Sequence, residues 1–270
     1  MHPEENKLSA LFPDVAAQLR GALSNLHMVA QQLVPEAKRE EDPVLDAKAA
    51  LLDQSYYQML RLVNSLSSSA MLTSDKPFRL QDKDLVAVVG DVCHRAGDLA
   101  PLLGLELRFV CAQERIICAV AQDMIEQLLF HLLSNAFKFT PAGGTVTVEL
   151  QVKGKQIQLA VEDTGRGISE ARLETLFDRY LQAGQRDPQP HGLGLGLALC
   201  RRIAEGHDGA LMATSKEGKG SRFVLALPHR QVGTGVSDVA CFDYAGGFNR
   251  TLLELADALP RQAFENKLMD

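Results

Sequence analysis

The sequence predicts an α+β protein, with a helical hairpin first and a sandwich of helices on one mixed sheet after it. Two observations carry this prediction. Apolar residues recur every three or four positions between residues 8 and 73, which is the period of a helix. After Lys76-Pro77 the pattern changes to short, alternating β-branched runs separated by helical segments. We therefore expect two domains and a tail, over residues 1–75, 76–228 and 229–270.

The N-terminal region reads as two long amphipathic helices, over residues 8–34 and 44–73. Residues 35–43 (PEAKREEDP) are charged and contain two prolines, so we expect a turn there. Two helices joined by a short turn form an antiparallel hairpin, which cannot cover all of its own apolar residues. We therefore expect a homodimer through residues 8–73, in which two hairpins form a four-helix bundle. The apolar stripe of the first helix consists of Leu11, Val15, Leu19, Ala22, Leu26, Val29 and Leu33.

The second region alternates between helices and strands. The predicted helices cover residues 84–104, 122–139, 169–178 and 194–206, and the first of them is interrupted near Gly97 and Pro101. Gly154-Lys155 separates two alternating runs and indicates a β-hairpin. The predicted strands are Glu106–Cys111, Ile116–Val120, Thr145–Lys153, Gln156–Glu162, 210–215 and 221–227.

Composition excludes several classes of protein. The formal net charge is −6, and lysine and arginine do not cluster, which argues against a nucleic-acid groove or an anionic membrane surface. No apolar run approaches the ~20 residues of a membrane span, and the first residues lack the layout of a signal peptide. We therefore expect no direct membrane insertion. The five cysteines form no C-x-x-C pair, so we expect buried, reduced thiols in a cytoplasmic protein.

A first candidate motif lies on the predicted helix 122–139, in the run HLLSNAFKFT. Asn135 and Lys138 are three residues apart and therefore share a helix face. An amide oxygen suits Mg²⁺, and an ammonium group offsets phosphate charge. The same pair is also common on solvated helix surfaces, so alone it indicates little.

The second motif is DTGRGI, directly after a predicted strand. A carboxylate such as Asp163, at the end of a buried strand, can accept a hydrogen bond from an exocyclic amine such as that of adenine. Gly165 and Gly167 allow a close backbone approach or a positive φ angle. A simple turn is the alternative interpretation.

The third motif is GLGLGL, at the start of the predicted helix 194–206. Glycines before a helix leave backbone amides free to face phosphates, and the helix dipole supports anion binding. The run is neither a dinucleotide fingerprint nor a Walker loop, because it lacks the preceding βαβ context and the Gly-Lys-Ser/Thr ending. Glycine-rich packing turns remain the alternative.

In this order and spacing, the three motifs resemble the catalytic domain of sensor histidine kinases, which have the GHKL (Bergerat) type of ATP-binding fold. HLLSNAFKFTP is similar to the family's N box, VEDTGRGI to its first glycine box and GLGLGLALCRRIAEGHDG to its second. LFDRY, with Phe177 and Arg179, resembles the F box that precedes the ATP lid, and GKGSRFVLALP resembles the closing strand. The resemblance covers about residues 77–228, and the preceding hairpin looks like a dimerisation and phosphotransfer domain.

The resemblance implies roles for individual residues in binding ATP and Mg²⁺. Asn135 would coordinate the metal and Lys138 would contact phosphate, while Asp163 would bind the adenine amine. A lid would cover about residues 178–191. The remaining cofactor-binding candidates are Gly165 and Gly167 beside the base, Arg179 before the lid, and Gly192, Gly194 and Gly196 near the phosphates.

The hairpin departs from the family pattern at the phosphoacceptor. The best alignment of VAAQLRGAL puts Ala17 where the family has a histidine and Gln18 where it has an acid. Alanine has no nucleophile, and a glutamine amide accepts no proton at neutral pH. His27 lies ten residues further along the same helix, on another part of its surface, and we expect it to be solvated.

The N box departs as well, because His131 stands one helical turn before Asn135, where histidine kinases usually have a second asparagine and other GHKL proteins a glutamate. An imidazole there could act as a base or a weak metal ligand, or it could simply pack. We therefore count His131 with Asn135 and Lys138 as candidate catalytic residues.

Three functions remain open from the sequence. The first is a histidine-kinase-like protein that transfers phosphate from MgATP to a histidine on another chain. The second is a pseudokinase that docks a response regulator or a partner kinase, and the third is a GHKL ATPase. The tail, with a short amphipathic helix ended by Pro260, either packs back on the protein or docks a partner.

Overall fold

The chain forms two compact units in a computed structural model that describes residues 3–69, 72, 77–176, 195–233 and 249–265. The first unit combines the N-terminal helices with the C-terminal segment, and the second contains most of the residues between them. The chain therefore leaves the first unit, forms the second, and returns to the first. The architecture is α+β, as predicted, with N-terminal helices and a five-stranded mixed sheet.

The first unit begins with a helical hairpin, whose helices are α1 (Pro3–Leu33) and α3 (Pro43–Ser69). The connection between them contains a six-residue helix, α2 (Glu36–Glu41), so the prediction of a plain turn over residues 35–43 is wrong. Both prolines lie at the start of a helix, since Pro35 directly precedes α2 and Pro43 is the first residue of α3. Proline is favoured at the first position of a helix, so neither one interrupts it. The Oδ1 atom of Asp42 accepts hydrogen bonds from the amides of Val44 and Leu45 and thus starts α3.

The prediction of a solvated His27 is also wrong. This side chain is only 4% exposed, and its ring stacks on that of Tyr56 with 4.1 Å between centroids. Its Nδ1 atom lies 3.7 Å from a carboxylate oxygen of Asp53, which also pairs with Arg39 at 2.7 Å. The helix periodicity placed His27 off the predicted stripe correctly, but that position faces α3 and not solvent.

The predicted apolar stripe of α1 is exposed from Val15 to Leu33 within a single chain. Leu26 is 67% exposed and Leu33 is 72% exposed, and apolar residues of α3 such as Leu52 and Met59 are exposed as well. Helices α1 and α3 pack against each other through different residues, which include Ala16 on α1 and Ala50 on α3. The predicted homodimer stays a prediction, and this stripe is the surface that it would use.

The C-terminal segment packs on the hairpin. It contains a short helix, α8 (Arg250–Leu255), and a 3₁₀ turn (Arg261–Phe264), and both contact α3. Asn249 begins α8, because its side chain accepts a hydrogen bond from the amide of Leu252. Of the two interpretations open from the sequence, the structure shows the segment packed back on the protein.

The second unit is built on a five-stranded sheet with the order β2-β4-β5-β7-β6. The β2–β4 pair is parallel and the other pairs are antiparallel. The strands are β2 (Glu106–Cys111), β4 (Thr145–Lys153), β5 (Gln156–Asp163), β6 (Ala210–Lys216) and β7 (Gly220–Pro228).

The core of this unit lies between the sheet and its helices. Helix α5 packs on β4 and β5, α7 packs on β6 and β7, and α4 packs on β2. Alternate side chains of the strands, such as Val148, Leu159 and Leu225, are fully buried beneath them. The helices are α4 (Leu85–Leu99), α5 (Gln122–Phe139), α6 (Glu170–Glu174) and α7 (Gly196–Gly206), and a 3₁₀ turn (Ala100–Leu103) follows α4.

A second, two-stranded sheet was not expected. The predicted strand near residues 116–120 is β3 (Ile117–Val120), and it pairs with β1 (Gln81–Asp84) instead of joining the main sheet. The β1 sequence is polar, yet Asp82 is buried because its two carboxylate oxygens accept hydrogen bonds from the amides of Val232 and Gly233. Among the described residues, no helix combines the length and apolar composition that a membrane span requires.

Candidate functional site

Helix α5 carries the first predicted motif. His131, Asn135 and Lys138 follow one another at spacings of four and three, so they lie on one side of the helix. His131 is buried, and the other two side chains are half-buried. Lys138 lies in the last turn of α5, where its charge complements the helix dipole. Thr140 ends the helix, and its hydroxyl donates to the carbonyl of Ala136 at 2.6 Å.

Asp163 ends β5 and begins the loop that carries the second motif. Its Oδ1 atom accepts hydrogen bonds from the amides of Gly165, at 2.8 Å, and Ser221, at 3.3 Å. The side chain is 7% exposed, and this burial raises the pKa of its carboxyl group, while the two amide hydrogen bonds oppose the shift. Within the described part of the chain, both hydrogen bonds use Oδ1, which leaves Oδ2 to accept from a ligand.

Glycines around Asp163 are required by close backbone packing. A Cβ atom on Gly165 would overlap the carbonyl oxygen of Phe139, and one on Gly167 would overlap that of Lys216. Gly220 is the tightest position, since its Cβ would overlap the carbonyl oxygen of Asp163 and its φ angle is +100°. The glycine box therefore fixes the loop against both the end of α5 and the β6–β7 turn.

Two serines near Asp163 escaped the sequence reasoning. Ser221 is the partner of Asp163 across the β5–β7 pair. Ser215 on β6 accepts a hydrogen bond from the amide of Ile168 at 2.8 Å, and its oxygen lies 3.0 Å from that of Ser221. The sequence places both serines in predicted strands, but only the observed strand register shows that they lie beside the glycine loop.

The first two motifs and the start of α7 meet around α5. Phe139 contacts the first two, because its ring lies 5.7 Å from the Lys138 ammonium and 4.5 Å from the Arg166 guanidinium. The amide of Arg166 also donates to the carbonyl of Phe139 at 3.2 Å. At the other side, a Cβ on Gly196 would lie 3.4 Å from Nδ1 of His131, which puts the start of α7 against α5. Helix α5 thus borders both the first glycine-rich loop and the start of α7.

The side chains present suit a magnesium–nucleotide complex. Asn135 offers an amide oxygen for the metal, and Lys138 offers a positive charge for phosphate. Asp163 offers an acceptor for an exocyclic amine, and α7 directs its N-terminus, with its partial positive charge, toward the same helix. The donor set therefore fits the group that the resemblance implies.

Several predicted positions lie outside the described residues. They are Phe177, Arg179, Gly192, Gly194 and the predicted lid over residues 178–191. On the hairpin, Ala17 and Gln18 are both exposed on α1, and neither side chain has phosphoacceptor chemistry.

A family model described as histidine kinase-, DNA gyrase B-, and HSP90-like ATPase matches residues 120–231. The matched range begins just before α5 and ends just after β7, so it contains all three motifs. It covers the part of the second unit from α5 to β7 and leaves β1, α4, β2 and the helical hairpin outside.

Curated relatives point in the same direction. The adaptive-response sensory kinase SasA of a Synechococcus strain is 46% identical over 110 residues, which are 40% of this chain and 29% of the relative. The sensor protein SrrB of Staphylococcus aureus is 28% identical over 217 residues, which are 80% of this chain and 37% of the relative. The chain therefore spans about a third of the length of these relatives.

Solved structures share the fold. The crystal structure of full-length ShkA in complex with AMPPNP aligns with 86% of this chain and 47% of its own, with a TM-score of 0.65 and 22% identity. The catalytic domain of the histidine kinase ThkA aligns with 56% of this chain and 97% of its own, with a TM-score of 0.50 and 21% identity.

Proposed function

We propose that this chain, which belongs to the histidine kinase family and carries a GHKL-type catalytic domain, binds MgATP for phosphoryl transfer in signal transduction. The observation that supports the proposal most directly is that the first two motifs and the start of α7 meet around α5. Packing alone does not call for an amide, an ammonium group and a buried carboxylate at one helix and its neighbouring loops.

Each group has a distinct task in this proposal. Asp163 accepts a hydrogen bond from the adenine amine through Oδ2, while Gly165 and Ser221 hold its other oxygen in place. Lys138 neutralises phosphate charge, and Asn135 holds Mg²⁺ through its amide oxygen. Bound Mg²⁺ would add charge neutralisation as the γ-phosphoryl group is transferred. Catalysis then rests on positioning and electrostatics.

The phosphoacceptor histidine comes from another chain in this proposal. Ala17 occupies the position at which the family pattern has its histidine, and it offers no nucleophile. His27 is no substitute, because it is buried between α1 and α3 and its ring is covered by Tyr56. We therefore expect no autophosphorylation of this chain, within one copy or within its own dimer.

The same observation favours a second candidate, in which the chain is a pseudokinase that docks a response regulator or a partner kinase. A hairpin that keeps its packing without a phosphoacceptor can still present a docking surface. An ATPase is the third candidate, and it depends on His131, whose imidazole borders the start of α7 and could act as a base.

We also propose that the chain forms a homodimer and acts in the cytoplasm. The exposed stripe of Leu19, Leu26 and Leu33 on α1 suits the seam of a four-helix bundle. Cys93, Cys118 and Cys200 are free, buried thiols, which suits a reducing compartment that also supplies ATP.

One experiment separates the candidates. Radiolabelled ATP is incubated with the chain alone, with candidate response regulators, and with an active kinase as partner. The kinase proposal expects acid-labile label on a partner histidine and none on this chain. If the chain is a pseudokinase, it should bind nucleotide without transferring the phosphoryl group. Steady phosphate release that is lost in His131→Ala would support the ATPase candidate. Acid-labile label on this chain would show that Ala17 was wrongly assigned.

A further inference from the structure

The C-terminal segment occupies a defined face of α3. This tail-binding face consists of Gln54, Tyr57, Gln58 and Arg61, which follow one another at the spacing of one side of a helix. It differs from the face that receives α1, which includes Asp53 and Tyr56, and from the exposed apolar stripe. The occupant is the tail segment, residues 249–265.

Polar side chains of α3 hold the middle of the tail segment. The Gln58 side chain donates to the carbonyl of Ala256 at 3.3 Å, and that of Gln54 donates to the carbonyl of Leu259 at 3.0 Å. Arg61 pairs with Asp257 at 2.9 Å, and it also attracts Glu254. The hairpin thus satisfies two carbonyl oxygens that follow the end of α8.

The far end of the tail segment is held by Arg39 of α2. Its Nη2 atom donates to the carbonyl of Phe264 at 3.0 Å, while its other nitrogens pair with Asp46 and Asp53 at 2.8 and 2.7 Å. The ring of Phe264 is fully buried and lies 5.5 Å from that of Tyr57. The other buried apolar residues of the tail segment are Leu252, Leu253, Leu255, Ala256, Leu259 and Ala263.

The tail segment is too short to be ordered by itself. Its helix α8 has six residues and its 3₁₀ turn has four. Isolated helices of such length do not persist in water, since nucleation is unfavourable. Its order therefore depends on the tail-binding face, as in a peptide that folds on binding.

We propose that the tail segment is a reversible intramolecular ligand and that the tail-binding face is a docking site for a short amphipathic helix. The ligand class carries acidic residues three positions apart, here Glu254 and Asp257, and an aromatic residue after the helix. The tail segment follows the second unit in the chain and packs in the first unit. This inference does not depend on the nucleotide site.

Hydrogen exchange on the unaltered chain tests reversibility. The relevant amides are those of Leu253, Leu259 and Ala263, which donate to carbonyls within the tail segment. We expect them to exchange at least tenfold more slowly than in the free peptide, and at least tenfold faster than central α3 amides. Exchange at the free-peptide rate would contradict docking. Exchange at the rate of α3 would show that the segment opens only when the hairpin unfolds, which would overturn the proposal.

A pair of variants adds a matched comparison in the full chain. Arg61→Gln removes the ion pair with Asp257 and is expected to raise exchange of the tail amides at least threefold. Arg20→Gln removes a hydrogen bond from α1 to Asn64 and does not touch the tail segment, so it should leave that exchange unchanged. Equal effects of the two variants would overturn the assignment of Arg61.

A labelled peptide with the sequence of residues 249–265 tests the ligand class. It should bind the Phe264→Ala chain at least tenfold more tightly than the unaltered chain, whose own segment competes at high effective concentration. The same peptide with Phe264→Ala should bind neither. Equal binding to both chains, or binding to neither, would overturn the proposal. If the Phe264→Ala chain fails to fold, the peptide is tested on the Phe264→Leu chain instead. The exchange rates of the unaltered chain test reversibility in either case.

Discussion

The two units of this protein differ in what their sequences retain. In the second unit, Asn135, Lys138 and Asp163 gather around α5, and glycines sit where a Cβ would collide with backbone. In the hairpin, Ala16 is fully buried in the packing, but Ala17 beside it is exposed and chemically inert. The two units thus differ in the side chains they present at the positions that the resemblance singles out: the second unit has an amide, an ammonium group and a carboxylate, whereas the hairpin has only an alanine and a glutamine.

The strongest test of the packing in the second unit is Gly220→Ala. The new Cβ would overlap the Asp163 carbonyl oxygen at a φ angle of +100°, so we expect a loss of about 4 kcal/mol in the free energy of unfolding. Gly218→Ala is the matched control, since its φ angle is +74° but no atom lies within 4 Å, and about 1 kcal/mol is expected. Denaturant unfolding measures both, and equal losses would mean that conformation alone, without the collision, limits this turn.

The corresponding test in the hairpin is Leu26→Glu. If the exposed stripe is a dimer seam, a buried charge in each copy should weaken dimerisation by about 3 kcal/mol. Gln32→Glu adds the same charge to an exposed polar position of α1 and should have little effect. Light scattering at micromolar concentration measures the change. A monomeric unaltered chain would refute the homodimer.

Asp163→Asn separates chemistry from packing within the second unit. We expect MgATP affinity to fall about 30-fold, because a charge-assisted hydrogen bond is worth about 2 kcal/mol. Stability should not fall, since burial raises the pKa of this carboxyl group and therefore disfavours its ionised form in the folded state. Calorimetry measures affinity, and unfolding measures stability.

The neighbouring Glu162→Gln is the control, because Glu162 is exposed and pairs with Arg222 on the surface. Affinity of the unaltered chain should also decline as pH falls through the raised pKa of Asp163, where the carboxylate becomes protonated. Unchanged affinity in Asp163→Asn would mean that the adenine site is misassigned.

The sequence predicted the regular elements well where the pattern was local. Helix α5 and the β4–β5 hairpin lie almost where the periodicity put them, and the range that the family model matches contains the three motifs. Local patterns suffice here because each element has one strongly apolar face. The predicted roles of the site residues stay predictions.

The failures share a physical cause, which is that they depend on contacts distant in sequence. Asp82 is buried in a polar strand only because the amides of Val232 and Gly233 satisfy it. His27 is buried because Asp53 and Tyr56 of α3 receive it, and the pairing of Ser221 with Asp163 follows from strand register. None of these partners is visible in a local pattern.

The smallest expected effect concerns the titration of two buried histidines, His207 in the second unit and His27 in the hairpin. In the second unit, Nδ1 of His207 donates to the carbonyl of Ile203 at 2.7 Å, so Nε2 accepts from the amide of Ala121 at 3.0 Å. The second contact requires the neutral ring, because a protonated Nε2 cannot accept a hydrogen bond. Burial lowers the pKa of His207, and it also lowers that of His27, where Asp53 opposes the shift.

Because the folded state disfavours the protonated rings, stability should be complete above about pH 6.5 and decline below it, by at most about 1.4 kcal/mol per pH unit for each group. His207→Gln keeps an acceptor for the Ala121 amide and cannot titrate, so it should flatten the decline for the second unit. His94→Gln, at an exposed position of α4, should not. Since Asp53 can stabilise a protonated His27 and His207 must break a hydrogen bond, we expect the second unit to lose stability first on acidification. Unfolding curves between pH 7.5 and pH 5.5, followed by hydrogen exchange in each unit, measure the order, and earlier loss in the hairpin would reverse this comparison.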